Sequence, residues 1–283
     1  YNPTTGEMKA IEVFHNNSIK SLALDGDENL LAGTDNGLYV YQNDKEPLQH
    51  IIHDSRNIQS LTNNIIWNIF SDQEHNIWLG TDYGISLSRY NSALQFVPIS
   101  QITGTGDGNQ FYSLFRDSKG FYWFGGTNGV IRFTHPAGNK HDAIWYRMGD
   151  KNYPLSHNRI RHIYEDREQQ LWIATDGSIN RYDYNTHQFV HYNIVDSTGT
   201  YNTNWAYYLF EDTDGKLWIA TCLGGIFVVD KHKLIQSAGR SYVADQNYSI
   251  HNGLSGMFIN QIVPDAEGNV SVSYTHLTLP TKL

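Results

Sequence analysis

An aspartate followed six residues later by tryptophan, and then by a small residue and threonine leading into a glycine turn, recurs along this chain. Full copies run Asp72–Gly84, Asp117–Gly129, Asp166–Gly177 and Asp212–Gly225; a weaker one, Asp25–Gly37, has Leu31 in place of tryptophan. A sixth begins at Asp265 and loses the pattern, with Ser271 at the tryptophan position. Leu31, Trp78, Trp123, Trp172, Trp218 and Ser271 are thus spaced by 47, 45, 49, 46 and 53 residues. Self-similarity at such a period means a stack of like units, so the fold is argued from the repeat rather than from chain length.

The apolar residues come in short runs between Gly, Asn and Asp, which is strand grammar, and no amphipathic stretch of helical length stands out. Each unit reads as four strands. An asparagine opens the first in five copies, at Asn17, Asn64, Asn109, Asn158 and Asn204, with Met257 the exception. That first strand (IIWNIF, RIRHIY, WAYYLF) is apolar enough to be covered on both faces. The aspartate turn, an LWIGT-like second strand, a Thr-x-x-Gly turn and two further strands follow. Four antiparallel strands in about 47 residues is the size of a propeller blade. The predicted class is therefore all-β: a propeller over residues 1–271 with about six blades' worth of chain. Its parts are a partial blade at 1–14 and repeats centred on 17–50, 64–99, 109–148, 158–194, 204–245 and 257–271. Residues 272–283 depart from the pattern and read as a non-native tail.

Trp78, Trp123, Trp172 and Trp218 are the expected wedges between blades, because a buried indole dominates packing. The aspartates before them are expected to make turns. An active site needs its acid once or twice, not in every repeat.

The combination N-x-I-x-x-I-x-x-D-x-x-G-x-L-W-I-G-T-x-x-G-I-x-x-Y resembles the two-component regulator propeller repeat. The likeness covers Tyr1 to about Val270. Leu31, Gly126 at a threonine position, and the turn ATDGSIN, one residue short, depart from it. The resemblance implies the periplasmic sensor region of a Bacteroidetes hybrid two-component system, a seven-bladed ring cut short here, and a homodimer in the full-length receptor. The membrane helix, kinase and regulator that follow in the family are not encoded in these residues.

Composition narrows the partners. A net charge of -9 and a pI near 5.7 argue against a nucleic-acid groove. Cys222 is the only cysteine, which excludes an intrachain disulfide and a thiolate metal cluster. No apolar run is long enough for a membrane span. His187 and His191 are four apart but on a strand, about 13 Å end to end, too far for one ion. No cofactor, metal or catalytic residue is expected.

Strand order places the first-strand entry and the Thr-x-x-Gly turn at one end of every blade, with the aspartate turns at the other. The candidate ligand rim is Lys20, Trp67, Tyr112, Arg161 and Tyr207, each five residues before an aspartate, with Tyr83 on a turn and Trp205, an indole off the repeat position. Aromatics beside cations and amides suit a sugar, so the expected function is a non-enzymatic sensor responding to oligosaccharides. Two alternatives stay open. One is a sialidase-, glycosidase- or lyase-like propeller enzyme, for which no separate carboxylate pair is visible. The other is a protein-interaction propeller of WD40 or kelch type, whose signatures are missing.

Overall fold

The computed structural model describes residues 17–41, 49–90, 96–100, 109–134, 142–151, 154–265 and 268–274. The chain divides into two compact units, Tyr1–Phe111 and Tyr112–Leu283. In the first, β1 (Ile19–Leu24), β2 (Leu30–Thr34), β3 (Gly37–Tyr41) and β4 (Gln49–Ile51) pair in chain order. So do β5 (Ile66–Ser71), β6 (Ile77–Thr81), β7 (Gly84–Ser88) and β8 (Phe96–Pro98).

The chain continues with β9 (Phe111–Arg116), which opens at the last residue of the first unit. The second unit goes on with β10 (Tyr122–Gly126), β11 (Gly129–Phe133) and β12 (Ile144–Tyr146), then β13 (Ile160–Glu165), β14 (Leu171–Thr175), β15 (Ser178–Asp183) and β16 (Gln188–Tyr192). β17 (Ile194–Val195) precedes β18 (Ala206–Glu211), β19 (Lys216–Thr221) and β20 (Ile226–Asp230). Helix α1 (Lys231–Gln236) and β21 (Tyr242–Val243) come before β22 (Gln246–Tyr248), the fourth strand of that sheet. β23 (Ile259–Pro264) and β24 (Val270–Tyr274) form a final pair.

Each aspartate makes its turn and then does a second job. Oδ1 of Asp72 accepts from the Glu74 and Asn76 N–H groups at 3.0 and 2.9 Å, closing the β5–β6 hairpin, while Oδ2 accepts from Trp78 Nε1 at 2.8 Å. Asp117, Asp166 and Asp212 hold Trp123, Trp172 and Trp218 in the same way at 2.7, 2.9 and 2.7 Å. Where tryptophan is missing, an asparagine four residues after the aspartate supplies the second donor. Asn29 Nδ2 reaches Asp25 Oδ2, and Asn269 Nδ2 reaches Asp265 Oδ2, both at 2.9 Å. A hydrogen bond to a carboxylate contributes about 1.5–3 kcal/mol. These acids are occupied in holding the fold.

The indoles pack forward onto the next sheet. Trp123 clusters with Ile160, Ile163 and Leu171, and Trp172 with Leu209, Leu217 and Phe227. Trp218, half-buried, stacks on Phe210 and Tyr248 beside the β23–β24 pair. In the first unit Leu31 takes that place among Ile66, Ile69 and Leu79. The small residue before each threonine leaves room for the next strand. A β-carbon on Gly33 would lie 2.7 Å from Ile66 Cγ2, and one on Gly125 only 2.3 Å from Ile160 Cγ2. Where the next first strand opens with Ala206 instead, Ala174 is accommodated in the same cluster.

Asparagine ties one sheet to the next. Asn158 accepts the Gly129 N–H on its carbonyl at 2.6 Å and the Met148 N–H on Oδ1 at 2.7 Å. Asn64 does the same for Gly37 and His53, at 2.7 and 2.6 Å.

Four expectations are corrected. The first strands are not covered on both faces; their second residues, such as Trp67, Tyr112 and Arg161, keep solvent access, while β6, β10 and β14 are buried throughout. The turn after Thr175 is not short. Ser178 takes the glycine position at φ 86°, and Thr175 Oγ1 donates to the Ser178 carbonyl as Thr81 Oγ1 does to Gly84. A helix does occur, because Asp230 caps α1 through the Lys233 N–H at 3.1 Å; six residues are too few to show a helical period. Finally, β22 falls beyond residue 245, and Val272–Tyr274, expected in the tail, pair with β23. The partial blade at 1–14 and residues 275–283 lie outside the described residues.

Candidate ligand-binding rim

The second residue of the first strand sits on a β-bulge. The register slips between Ile19 and Ser21, Ile66 and Asn68, Ile160 and His162, Ala206 and Tyr208, and Ile259 and Gln261. The ladder therefore skips Lys20, Trp67, Arg161, Tyr207 and Asn260. A bulge frees one residue from the pleat and re-aims its side chain.

The residue after the threonine lies beside that bulge. The N–H groups of Asp35, Asp82, Asp176 and Cys222 donate to the carbonyls of Ser18, Ile65, Arg159 and Trp205, at 3.3, 3.0, 3.2 and 3.0 Å. Turn and strand entry thus share one end of the sheet, and the two side chains meet. In the first unit Trp67 Nε1 and Gln110 Nε2 both donate to Asp82 Oδ1, at 3.0 and 2.6 Å, while Lys20 Nζ lies 4.8 Å from the Trp67 ring centre. In the second, Arg161 Nε donates to Asp176 Oδ1 at 2.7 Å and its Nη2 to Oδ2 at 3.3 Å. The guanidinium sits 4.3 Å from the Tyr207 ring centre and 5.7 Å from that of Tyr112. Burial holds the Tyr207 phenol and the Cys222 thiol above their ordinary pKa values, so both are neutral beside the ion pair.

Two clefts in the second unit adjoin this row. One, of about 260 Å³, is lined by Asn202, Asn204, Trp205, Leu223 and Gly224, together with Thr200 and Tyr201. The other, of about 410 Å³, shares Thr200 and Tyr201 and continues to Asp196, Asp245, Asn247 and His251. Trp205 is 46% exposed, in a left-handed conformation at φ 56°. Its N–H donates to the Asp176 carbonyl at 3.0 Å and its own carbonyl accepts from Cys222, so the backbone is clamped in a conformation uncommon for a bulky residue.

The structure brings Lys20 to Trp67, and Tyr112 to Arg161 and Tyr207; Trp205 joins the second group through the Asp176 and Cys222 backbone. Tyr83 stands exposed at the tip of its turn. Trp145 lies in β12 under the Arg147 guanidinium, 4.3 Å away, and is not part of the rim. His187 meets the Tyr182 hydroxyl and His191 the Gly177 carbonyl. Among the described residues no cluster of His, Cys, Asp or Glu could hold a metal.

Sequence reasoning missed the Asp196–Asn202 loop and the His251 segment. The 53-residue spacing was a signal for the second; the first shows only as a Ser/Thr/Asn/Gly-rich stretch.

The two-component regulator propeller model matches residues 60–83, 105–128, 154–177 and 200–222. The extracellular domain of BT4673 from B. thetaiotaomicron is 84% identical over 97% of this chain, with a TM-score of 0.62. This chain spans 37% of that chain's length. BT4673 is assigned to a hybrid two-component system in one solved structure and to a one-component system in another. The corresponding domain of BT3049, from the same organism, is 24% identical over 91% of this chain and matched over 32% of its own length, with a TM-score of 0.70. PorZ of Porphyromonas gingivalis, at 15% identity, 91% and 37% coverage and a TM-score of 0.67, shares the fold alone. No curated protein matches the chain. Four-stranded antiparallel blades with these neighbours define a β-propeller. The chain belongs to the two-component regulator propeller repeat family and is homologous to extracellular domains of hybrid two-component systems. No helix among the described residues is long and apolar enough to cross a membrane.

Proposed function

We propose that this chain is a piece of the ligand-sensing, non-enzymatic ectodomain of a hybrid two-component receptor, that it works in the periplasm as part of a homodimer, and that its ligand is an oligosaccharide. The observation that carries this reading is Trp205, a half-exposed indole that lines a cleft together with hydroxyl and amide side chains. A flat ring suits the apolar face of a sugar, and the Asn and Thr groups suit its hydroxyls. The absence of catalysis is supported by the engagement of the repeated carboxylates: Asp72, Asp117, Asp166 and Asp212 each bond an indole and a turn. A ligand acts on such a receptor through its differential affinity for two arrangements of the dimer.

Thermal-shift and calorimetric screening against plant and host oligosaccharides tests the reading. Saturable binding that is lost in Trp205→Ala is expected. Silence across the panel, or turnover of chromogenic glycosides, would overturn it.

A further inference from the structure

We propose that Arg161 and Asp176, framed by Tyr112 and Tyr207, set the ligand class on this rim and select uncharged oligosaccharides over anionic ones. The inference rests on the sensor reading above. The two bonds of 2.7 and 3.3 Å make a pair with no net charge, yet the side chains remain 17% and 11% exposed and within reach of a ligand. Arg159 approaches the same carboxylate only at 3.9 Å and is exposed, so solvent screens it. A guanidinium carries five N–H donors and a carboxylate has lone pairs to spare, so the Arg161–Asp176 pair offers donors and acceptors side by side. A sugar hydroxyl, which both donates and accepts, is the matching group, and the Tyr207 and Tyr112 rings lie next to it for the C–H face.

An anionic ligand fares worse. The cation set between the rings is already compensated, so an added carboxylate or sulfate there meets Asp176 as well as Arg161. The adjoining clefts add Asp196 and Asp245 and contain no lysine or arginine among their lining residues. Like charges brought together in a partly desolvated site are a standard means of rejecting the wrong ligand.

Asp176 is on this account a positioning residue, fixing the guanidinium between the rings. Asp82 has the same place in its own blade and fixes the Trp67 indole, with Lys20 over the ring. The turn carboxylate is thus a recurrent holder, and the residue on the bulge is what it presents.

The test is calorimetric titration of the full chain with two sets of probes. One set is neutral: xylo-, gluco-, manno- and galacto-oligosaccharides. The other is anionic: oligogalacturonides and chondroitin sulfate disaccharides. The intact chain should bind at least one neutral series about tenfold or more tighter than any anionic probe. Asp176→Asn, which leaves Arg161 uncompensated, should shift that ratio about tenfold toward the anionic set, and Asp176→Glu should retain the original ratio. Arg161→Gln should weaken the neutral ligand about tenfold without admitting the anionic one. Tighter anionic binding by the intact chain overturns the proposal. Unchanged selectivity in folded Asp176→Asn does so too, while leaving the sensor reading standing; should that variant not fold, undiminished neutral binding by Arg161→Gln overturns the proposal in its place. Binding of neither set sinks both.

Discussion

The ammonium of Lys231 lies 3.2 Å from Asp166 Oδ2, and both side chains are closed to solvent. The same carboxylate oxygen accepts from Trp172, and Glu211 Oε1 approaches the ammonium at 2.8 Å. One cation on α1 thus fastens the aspartate turn of the β13–β16 sheet to the first strand of the next. Burial pulls the Lys231 pKa down, but Glu211 and Asp166 outweigh it and hold it above the ordinary value.

Lys231→Met is expected to destabilise the second unit by about 3–5 kcal/mol, because it takes a fully buried cation away from two buried carboxylates. Urea unfolding followed by tryptophan fluorescence measures this. Since the folded pKa is raised, the stability from Lys231 is complete below about 10.5 and lost as pH climbs through the folded value. The Met variant should lack that alkaline loss.

His162 gives an acid counterpart. It stacks on Tyr208 at 3.9 Å, its Nδ1 accepts the Leu209 N–H at 3.4 Å, and desolvation lowers its pKa to about 3. The unfolded imidazole takes its proton near 6.5, so stability should fall between pH 6.5 and 3, at up to about 1.4 kcal/mol per pH unit. Ser21 and Ser113 cap the Ile69 and Ile163 N–H groups at the matching position, both through Oγ, so His162→Ser keeps an acceptor and should flatten this slope. An unaltered slope would exclude His162 as its source.

Gly125→Ala should cost about 1–3 kcal/mol through overpacking against Ile160. Adding Ile160→Ala opens the space again, so a double-mutant cycle should show favourable coupling between the two changes. Additive losses would mean that the two sites do not touch.

Trp172→Phe removes the donor to Asp166 inside a closed core, and a loss of about 3 kcal/mol is expected from the hydrogen bond and the void together. Trp218→Phe should cost less, because that indole is only partly buried. Equal losses at the two positions would contradict the packing described.

Strand number, turn positions and wedge residues were legible in the sequence because each recurs at a fixed offset, and repetition filters structure from chance. The bulge under Arg161 was not, since it leaves no residue signature beyond the side chain it presents. Lys231 was hidden for a different reason: its partners, Asp166 and Glu211, lie 65 and 20 positions away, and a Lys-His-Lys run after a strand reads as surface. The Ser21, Ser113 and His162 caps escaped notice because three unlike side chains do one job. On the rim, the Arg161–Tyr207 and Lys20–Trp67 pairings follow from blade order, whereas the Asp196–Asn202 loop joins two sheets outside the repeated motif.

The slipped register also bears on how chains built from this repeat diverge. A side chain excluded from the strand ladder can be exchanged without breaking the bonds that hold neighbouring sheets, which run through asparagine, aspartate and indole instead. The side chains presented at the bulges can therefore change one blade at a time while the framework is inherited intact.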